Sequence, residues 1–300
     1  MKKILFASTA LVATASVAAA ELTFGGYGRF GLVYDENAAE ETYIEQRFRL
    51  TVTGIAETDS GVKFEGRIRF QSDDTSDNDA QGDGPGAAGF AVSTGGFRVD
   101  VGHVSDSLDS GDTVNYYGYG VGLTGFVEQS SSFYDGDFVA GGFGDSDGSS
   151  QQKVKLRYSA GDFTVNASYA PDTPSGDEVW QIGAGYSFGA HSVGFVYGDN
   201  QTDDNDFWVI GVDGSFGDFS YAAIVGEAND ADTNWGLSGS YAVSAATSIS
   251  AAVSGGGVST DEAYGIGFSH SLGGGVSLKG GIGQETNGET KGDLGVIFSF

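Results

Sequence analysis

The side chains best placed to do work in this chain are arginines and lysines set at alternate positions. Residues 43–54 read Y-I-E-Q-R-F-R-L-T-V-T-G, a polar break covers 55–60, and 61–71 read G-V-K-F-E-G-R-I-R-F-Q. Arg47, Arg49, Lys63, Arg67 and Arg69 share one parity, while Phe48, Leu50, Val52, Val62, Phe64, Ile68 and Phe70 share the other. Side chains of period two sort onto the opposite faces of a strand, so the stretch predicts two strands and a turn. A ladder of fixed cations holds its protons at neutral pH, and its chemistry is the field it sets up. One reading is the solvated face of a soluble antiparallel sheet. The sharper reading is a barrel with apolar side chains outside and charge inside.

Reaction chemistry has little to draw on. With no Cys among 300 residues, thiolate catalysis, disulfides and Cys-ligated metals are excluded. Only His103, His191 and His270 could serve as imidazole bases. His103-Val-Ser105-Asp106 gathers the residue types of Ser–His catalysis, but neighbours in sequence rarely form a triad, so the chain is not expected to be an enzyme. No phosphate loop or dinucleotide fingerprint follows a strand and opens a helix.

The elements that must position the ladder repeat along the chain. Lys2 and Lys3, a short apolar run from Ile4 to about Val17, and Ala18-Ala19-Ala20 predict a cleaved signal peptide over 1–20, with Glu21 starting the mature chain. The mature chain then holds 12 basic and 41 acidic residues, a net charge of −29, which argues against nucleic-acid binding. No later apolar run is long enough for a membrane helix, but a membrane strand needs only about ten residues, half of them apolar. Alternation predicts sixteen strands, among them 87–94, 96–103, 152–159 and 162–170, ending with Lys291–Phe300. Connections are short after even-numbered strands and mostly longer and acidic after odd-numbered ones. Aromatic residues of the apolar parity gather near strand ends, as interfacial girdles require. The expected fold is all-β: one domain over 21–300, a 16-stranded antiparallel transmembrane β-barrel.

Of the twelve mature basic residues, Arg29, Arg47, Arg49, Lys63, Arg67, Arg69, Arg98, Lys153, Lys155, Arg157 and Lys279 take the lumen-facing parity, so one wall of the lumen is expected to be basic. The stretch from Val104 to Gln151 breaks the rhythm and carries eight acids: Asp106, Asp109, Asp112, Glu128, Asp135, Asp137, Asp145 and Asp147. Folded inward, this third long loop would set carboxylates opposite the basic wall and narrow the pore. Folded outward, it would be a solvated acidic loop.

The start E-L-T-F-G-G-Y-G-R-F-G, the stretch E-Q-R-F-R-L-T-V-T-G and the end G-D-L-G-V-I-F-S-F resemble the general diffusion porins of Gram-negative outer membranes, the Rhodobacter-type porins in particular. The resemblance implies a homotrimer in outer-membrane lipid, a third loop (about 104–151) folded into the pore, and passive diffusion of small hydrophilic solutes and ions. By position it puts Arg29, Arg47, Arg67 and Arg69, with Arg49 and Arg98, on the basic side of the constriction, and Asp106, Asp109 and Asp112 on the acidic side. Phe300 matches the C-terminal aromatic that barrel-assembly machinery reads. No cofactor is required. Some of these porins bind calcium between loop acids, and Asp145 and Asp147 are candidate ligands. Two alternatives stay open: a secreted acidic calcium-binding β protein, and a solute-specific channel, which an aromatic-lined lumen would favour.

Overall fold

Alternation of apolar and polar residues carries the chain back and forth across one closed sheet. The computed structural model describes residues 20–74, 85–143, 151–171, 177–201, 205–229 and 232–300. Among them lie sixteen strands: β1 (Glu21–Asp35), β2 (Thr42–Glu57), β3 (Lys63–Asp74), β4 (Gly89–Thr94), β5 (Phe97–Gly102), β6 (Lys153–Ala160), β7 (Phe163–Ala170), β8 (Val179–Phe188), β9 (His191–Asn200), β10 (Asn205–Phe216), β11 (Phe219–Ala228), β12 (Asn234–Ala242), β13 (Thr247–Gly256), β14 (Ala263–Gly273), β15 (Val276–Gln284) and β16 (Thr290–Ser299). Each pairs antiparallel with its sequence neighbours, and β1 pairs with β16 to close the barrel. The strands fall where the alternation predicts them. The last residue completes the seam: Gly26 and Phe300 exchange both backbone hydrogen bonds at 3.1 Å, and the Phe300 ring stacks on Phe48 with centroids 5.5 Å apart.

The short connections are hairpin turns. Gly95 and Gly96, between β4 and β5, both have positive φ (52° and 87°), as a two-residue turn that follows the strand twist requires. Closure leaves no edge strand, so each strand has a hydrogen-bonded neighbour on both sides. The outward parity is apolar and open to the surroundings: Leu22, Phe24, Phe30, Phe48, Phe90, Leu156, Ile182, Leu237 and Leu294 are all exposed. An apolar belt around the whole barrel is a surface for lipid, and a water-soluble secreted protein would not carry it. Near the short-turn end Phe163, Tyr186, Phe188, His191, Phe216 and Tyr221 form a band of touching rings. Trp180 and Tyr197 pair near the opposite end. His191 meets the Tyr221 hydroxyl within this band, an interfacial position remote from Ser105.

The apolar core lies inside the barrel, between the wall and the third loop. Leu108, Val114, Tyr116 and Phe133 of the loop pack on inward-facing Val196, Phe207, Val209, Ile224 and Ala228. A second patch joins Val121 and Val127 to Ala252 and Ala263. Each large side chain so buried contributes about 1.5–3 kcal/mol, which holds the loop against the wall.

Candidate functional site

The lumen is built from the inward parity of the strands, and on β1–β6 that parity carries the bases. The carboxylates opposite them come first from the wall itself. Arg29 meets Glu45 at 2.6 Å, and Arg47 meets Asp73 at 2.7 Å. Arg98 bridges Glu65 and Asp100. Lys291, the twelfth mature base, also turns inward and bonds Asp35 at 2.9 Å and Glu285 at 3.5 Å. The wall is therefore a lattice of ion pairs, in which strand-borne acids stand among the bases that the sequence places there. The signal was present, since Glu45 and Glu65 share the parity of Arg47 and Arg67.

Three arginines have other surroundings. Arg49 bonds the Gln71 amide oxygen and lies 5.3 Å over the Tyr27 ring. Arg67 and Arg69 lie 3.9 and 4.8 Å over the ring of Phe143, and Arg69 also donates to the Phe143 carbonyl at 2.8 Å. Phe143 is a loop residue, so these two arginines fasten the loop's end to the wall.

The third loop enters after β5 and runs inside the barrel along β6–β14. Its base is held by Ser107 on Ser168 and by Leu108 N donating to Gln181 Oε1 at 3.0 Å. Gln181, 1% exposed, also donates to the Val139 carbonyl and so ties both arms of the loop to β8. Farther along, Ser238 joins Gln129 at 3.0 Å, and Ser254 accepts from Ser132 N at 2.9 Å. At its tip Asp293 of β16 accepts hydrogen bonds from Leu123 and Thr124. At its closest approaches the loop rests on wall residues without side chains. A Cβ at Gly194 would stand 1.7 Å from the Thr113 carbonyl oxygen, and one at Gly236 1.7 Å from that of Gln129. Sequence reasoning missed this seat, although the inward parity of β8–β12 carries no Lys or Arg and is rich in Gly, Ala and Ser.

The three loop acids expected at the constriction are not equivalent. Asp106 is 2% exposed, at the loop's base, and accepts from Asp109 N and Gly141 N. Burial pushes its carboxyl up to about 6, against the charge of Lys153 and these N–H bonds. It is a foundation of the loop, and its burial removes it from the lumen surface. Asp112 lies on the wall, bonded to Lys155 and Arg157 at 2.7 Å each. Burial alone would raise its carboxyl, but the bonds and charges of those two bases outweigh it and hold Asp112 below the ordinary range. Asp109 is half-buried and accepts the Tyr117 hydroxyl. Glu128, a further acid of the loop, accepts the Tyr134 hydroxyl at 2.9 Å. Burial raises its carboxyl against that bond. The stretch 104–143 holds no Lys or Arg, and Asp109, Glu128, Asp135 and Asp137 have hydroxyl or amide partners in place of ion pairs among the described residues.

Asp145 and Asp147, the candidate calcium ligands, lie outside the described residues. Among those described, no group of three or more His, Cys, Asp or Glu side chains is placed to hold a metal ion.

Comparison with known proteins gives matches along nearly the whole chain. The sequence pattern of the Gram-negative porin family matches residues 7–290. A porin of Fuscovulum blasticum is 38% identical over 118 residues, a stretch covering 38% of this chain and 40% of that relative's length. A solved mutant of the Rh. blastica porin superposes with a TM-score of 0.77 at 28% identity, covering 93% of this chain and all of that one. A second mutant of the same porin gives 0.78 at the same identity and coverage.

Proposed function

The chain belongs to the Gram-negative porin family, and on that premise we propose that it forms a water-filled channel for passive diffusion of small hydrophilic solutes and ions across the outer membrane. The observation that carries this is a closed sixteen-stranded barrel, apolar outside and charged inside, with a loop seated across its lumen. No reaction and no energy source enter; the concentration gradient drives flux and the loop sets the size limit. Export through a cleaved signal peptide over 1–20 and assembly as a homotrimer are parts of the same proposal.

The constriction is formed by Arg29, Arg47, Arg49, Arg67, Arg69 and Arg98 on the wall and by Asp109 and Glu128 on the loop. Ion pairs cancel most of the wall's net charge, whereas Asp109 and Glu128 on the loop have hydroxyl partners and no ion pair among the described residues. The channel therefore prefers cations. This preference is electrostatic and falls as salt rises.

A solute-specific channel is the second reading. Sequence parity sends most aromatics toward lipid, but the loop seated inside the barrel carries Tyr117, Tyr119 and Tyr134, all at least partly exposed. Conductance in planar bilayers separates the readings. Ohmic steps in threes, with flux linear in solute concentration, fit a general trimeric pore. Saturable flux of one solute class fits the specific channel. Absence of any conductance by the detergent-purified protein refutes both.

A further inference from the structure

We propose that Asp293 is the positioning residue that fixes the width of the passage, by clamping the tip of the third loop to the barrel wall. The inference rests on the channel reading above. The tip is a tight hairpin closed by Val121 N donating to the Val127 carbonyl at 2.9 Å. Gly122 and Gly125 take positive φ (87° and 74°). The backbone between them turns the N–H groups of Leu123 and Thr124 to one side, a concave pair of donors suited to an anion.

Asp293 fills that concavity. Its Oδ1 accepts Leu123 N at 2.8 Å, and its Oδ2 accepts Thr124 N and Thr124 Oγ1, each at 2.8 Å. The carboxylate is 8% exposed, and all three bonds are charge-assisted. Its neighbour two places back, Lys291, bonds Asp35 and Glu285. The fit is steric as well. A Cβ on Gly122 would stand 2.3 Å from Asp293 Oδ1, and Leu123 Cδ2 lies 2.8 and 2.6 Å from where Cβ atoms of Gly31 and Gly295 would be.

The position of this clamp gives it a role beyond stability. β16 adjoins β1, where the arginine wall begins. Phe143, on Arg67 and Arg69 of β3, holds the other end of the loop. The open passage lies between the wall and a loop pinned at these two margins. Moving either pin moves one edge of the opening; at the turn of the tip the polar pin is Asp293, with Ser250 Oγ donating to the Gly120 carbonyl at 3.2 Å at the foot of the hairpin.

The experiment compares single-channel records of the full-length wild type with Asp293→Asn, Asp293→Ala and Gly122→Ala. A charge-assisted hydrogen bond stabilises enough that its loss shifts a two-state balance by about tenfold. Time spent in sub-conductance levels is expected to rise about tenfold in Asp293→Asn and further in Asp293→Ala. Gly122→Ala should do the same from the loop side with β16 untouched, so it carries the test if the strand variants fail to assemble. In the doubly substituted Asp293→Cys/Thr124→Cys protein, oxidation should restore steady current and reduction should abolish it. A merely structural role would lower the unfolding temperature without this redox-reversible change in current. Steady wild-type steps, with variants equally steady at unchanged conductance, overturn the inference. A wild type that conducts nothing overturns the channel reading beneath it.

Discussion

Replacing two loop carboxylates by their amides, Asp109→Asn with Glu128→Gln, should weaken cation preference without moving the loop. The amide oxygens left at these positions still accept the Tyr117 and Tyr134 hydroxyls that the carboxylates now accept. An ion passing one Debye length away, about 8 Å at physiological ionic strength, feels each carboxylate by about 0.5 kcal/mol in water, or about 0.2 kcal/mol after screening. Each charge favours a cation and disfavours an anion, so losing two should lower the cation-to-anion permeability ratio about fourfold. At roughly 0.01 M salt, where the Debye length is near 30 Å, the loss should be several times larger. Reversal potentials across a KCl gradient at both ionic strengths measure this. An unchanged potential, or a shift identical at high and low salt, would refute the assignment of these two groups to the lumen surface.

Arg47→Ala removes the partner of Asp73 and should raise cation preference by a similar factor while the barrel still assembles; an unchanged reversal potential removes Arg47 from the constriction. Arg67→Ala should do likewise and, having lost its stacking on Phe143, should also give noisier current than Arg47→Ala. Asp106 bears on pH dependence. Because burial raises its carboxyl to about 6 from an ordinary 3.8, its stabilising share is complete below 3.8 and is lost as pH rises through 6. The difference amounts to about 3 kcal/mol at most. Asp106→Asn should therefore flatten the decline in loop stability between about pH 4 and about pH 8, read as thermal unfolding or protease cleavage of the loop; an equally steep decline refutes it. Gly236→Ala should displace the loop arm at Gln129 and alter conductance, whereas alanine at Gly161, a turn with open space around its Cβ, should leave conductance unchanged.

The strands were legible because a lipid-facing barrel writes itself as period two: each strand alternates, and closure makes all of them alternate. The inward placement of Arg29, Arg47 and Lys155 came from that same parity. The path of the loop did not, because the residues that seat it at Gly194 and Gly236 act by lacking side chains, and absence leaves no hydropathy signal. Asp112 illustrates the limit. Its residue type suits a constriction, but only the fold shows that the loop brings it against Lys155 and Arg157 on the wall. Asp293 was just as hidden, being one acid in the final strand until the tip of a loop some 170 positions earlier in sequence reaches it.

These placements explain how a chain of net charge −27 keeps a basic wall. Arg29 and Arg47 stand directly opposite each other in the pairing of β1 with β2, and each is bonded to its own carboxylate: Arg29 to Glu45, and Arg47 to Asp73, its cross-strand partner on β3. Such a lattice is rigid and carries little net charge to an ion at a distance, so it shapes the passage more than it sorts its traffic. The loop has the opposite design. Asp109 and Glu128 are bonded to tyrosine hydroxyls and not to bases, on a segment without a single Lys or Arg. Selectivity should therefore track the loop's position. A perturbation that shifts the loop, at Asp293 or at Phe143, should change ion preference and conductance together, whereas breaking one wall pair should change preference with conductance nearly constant.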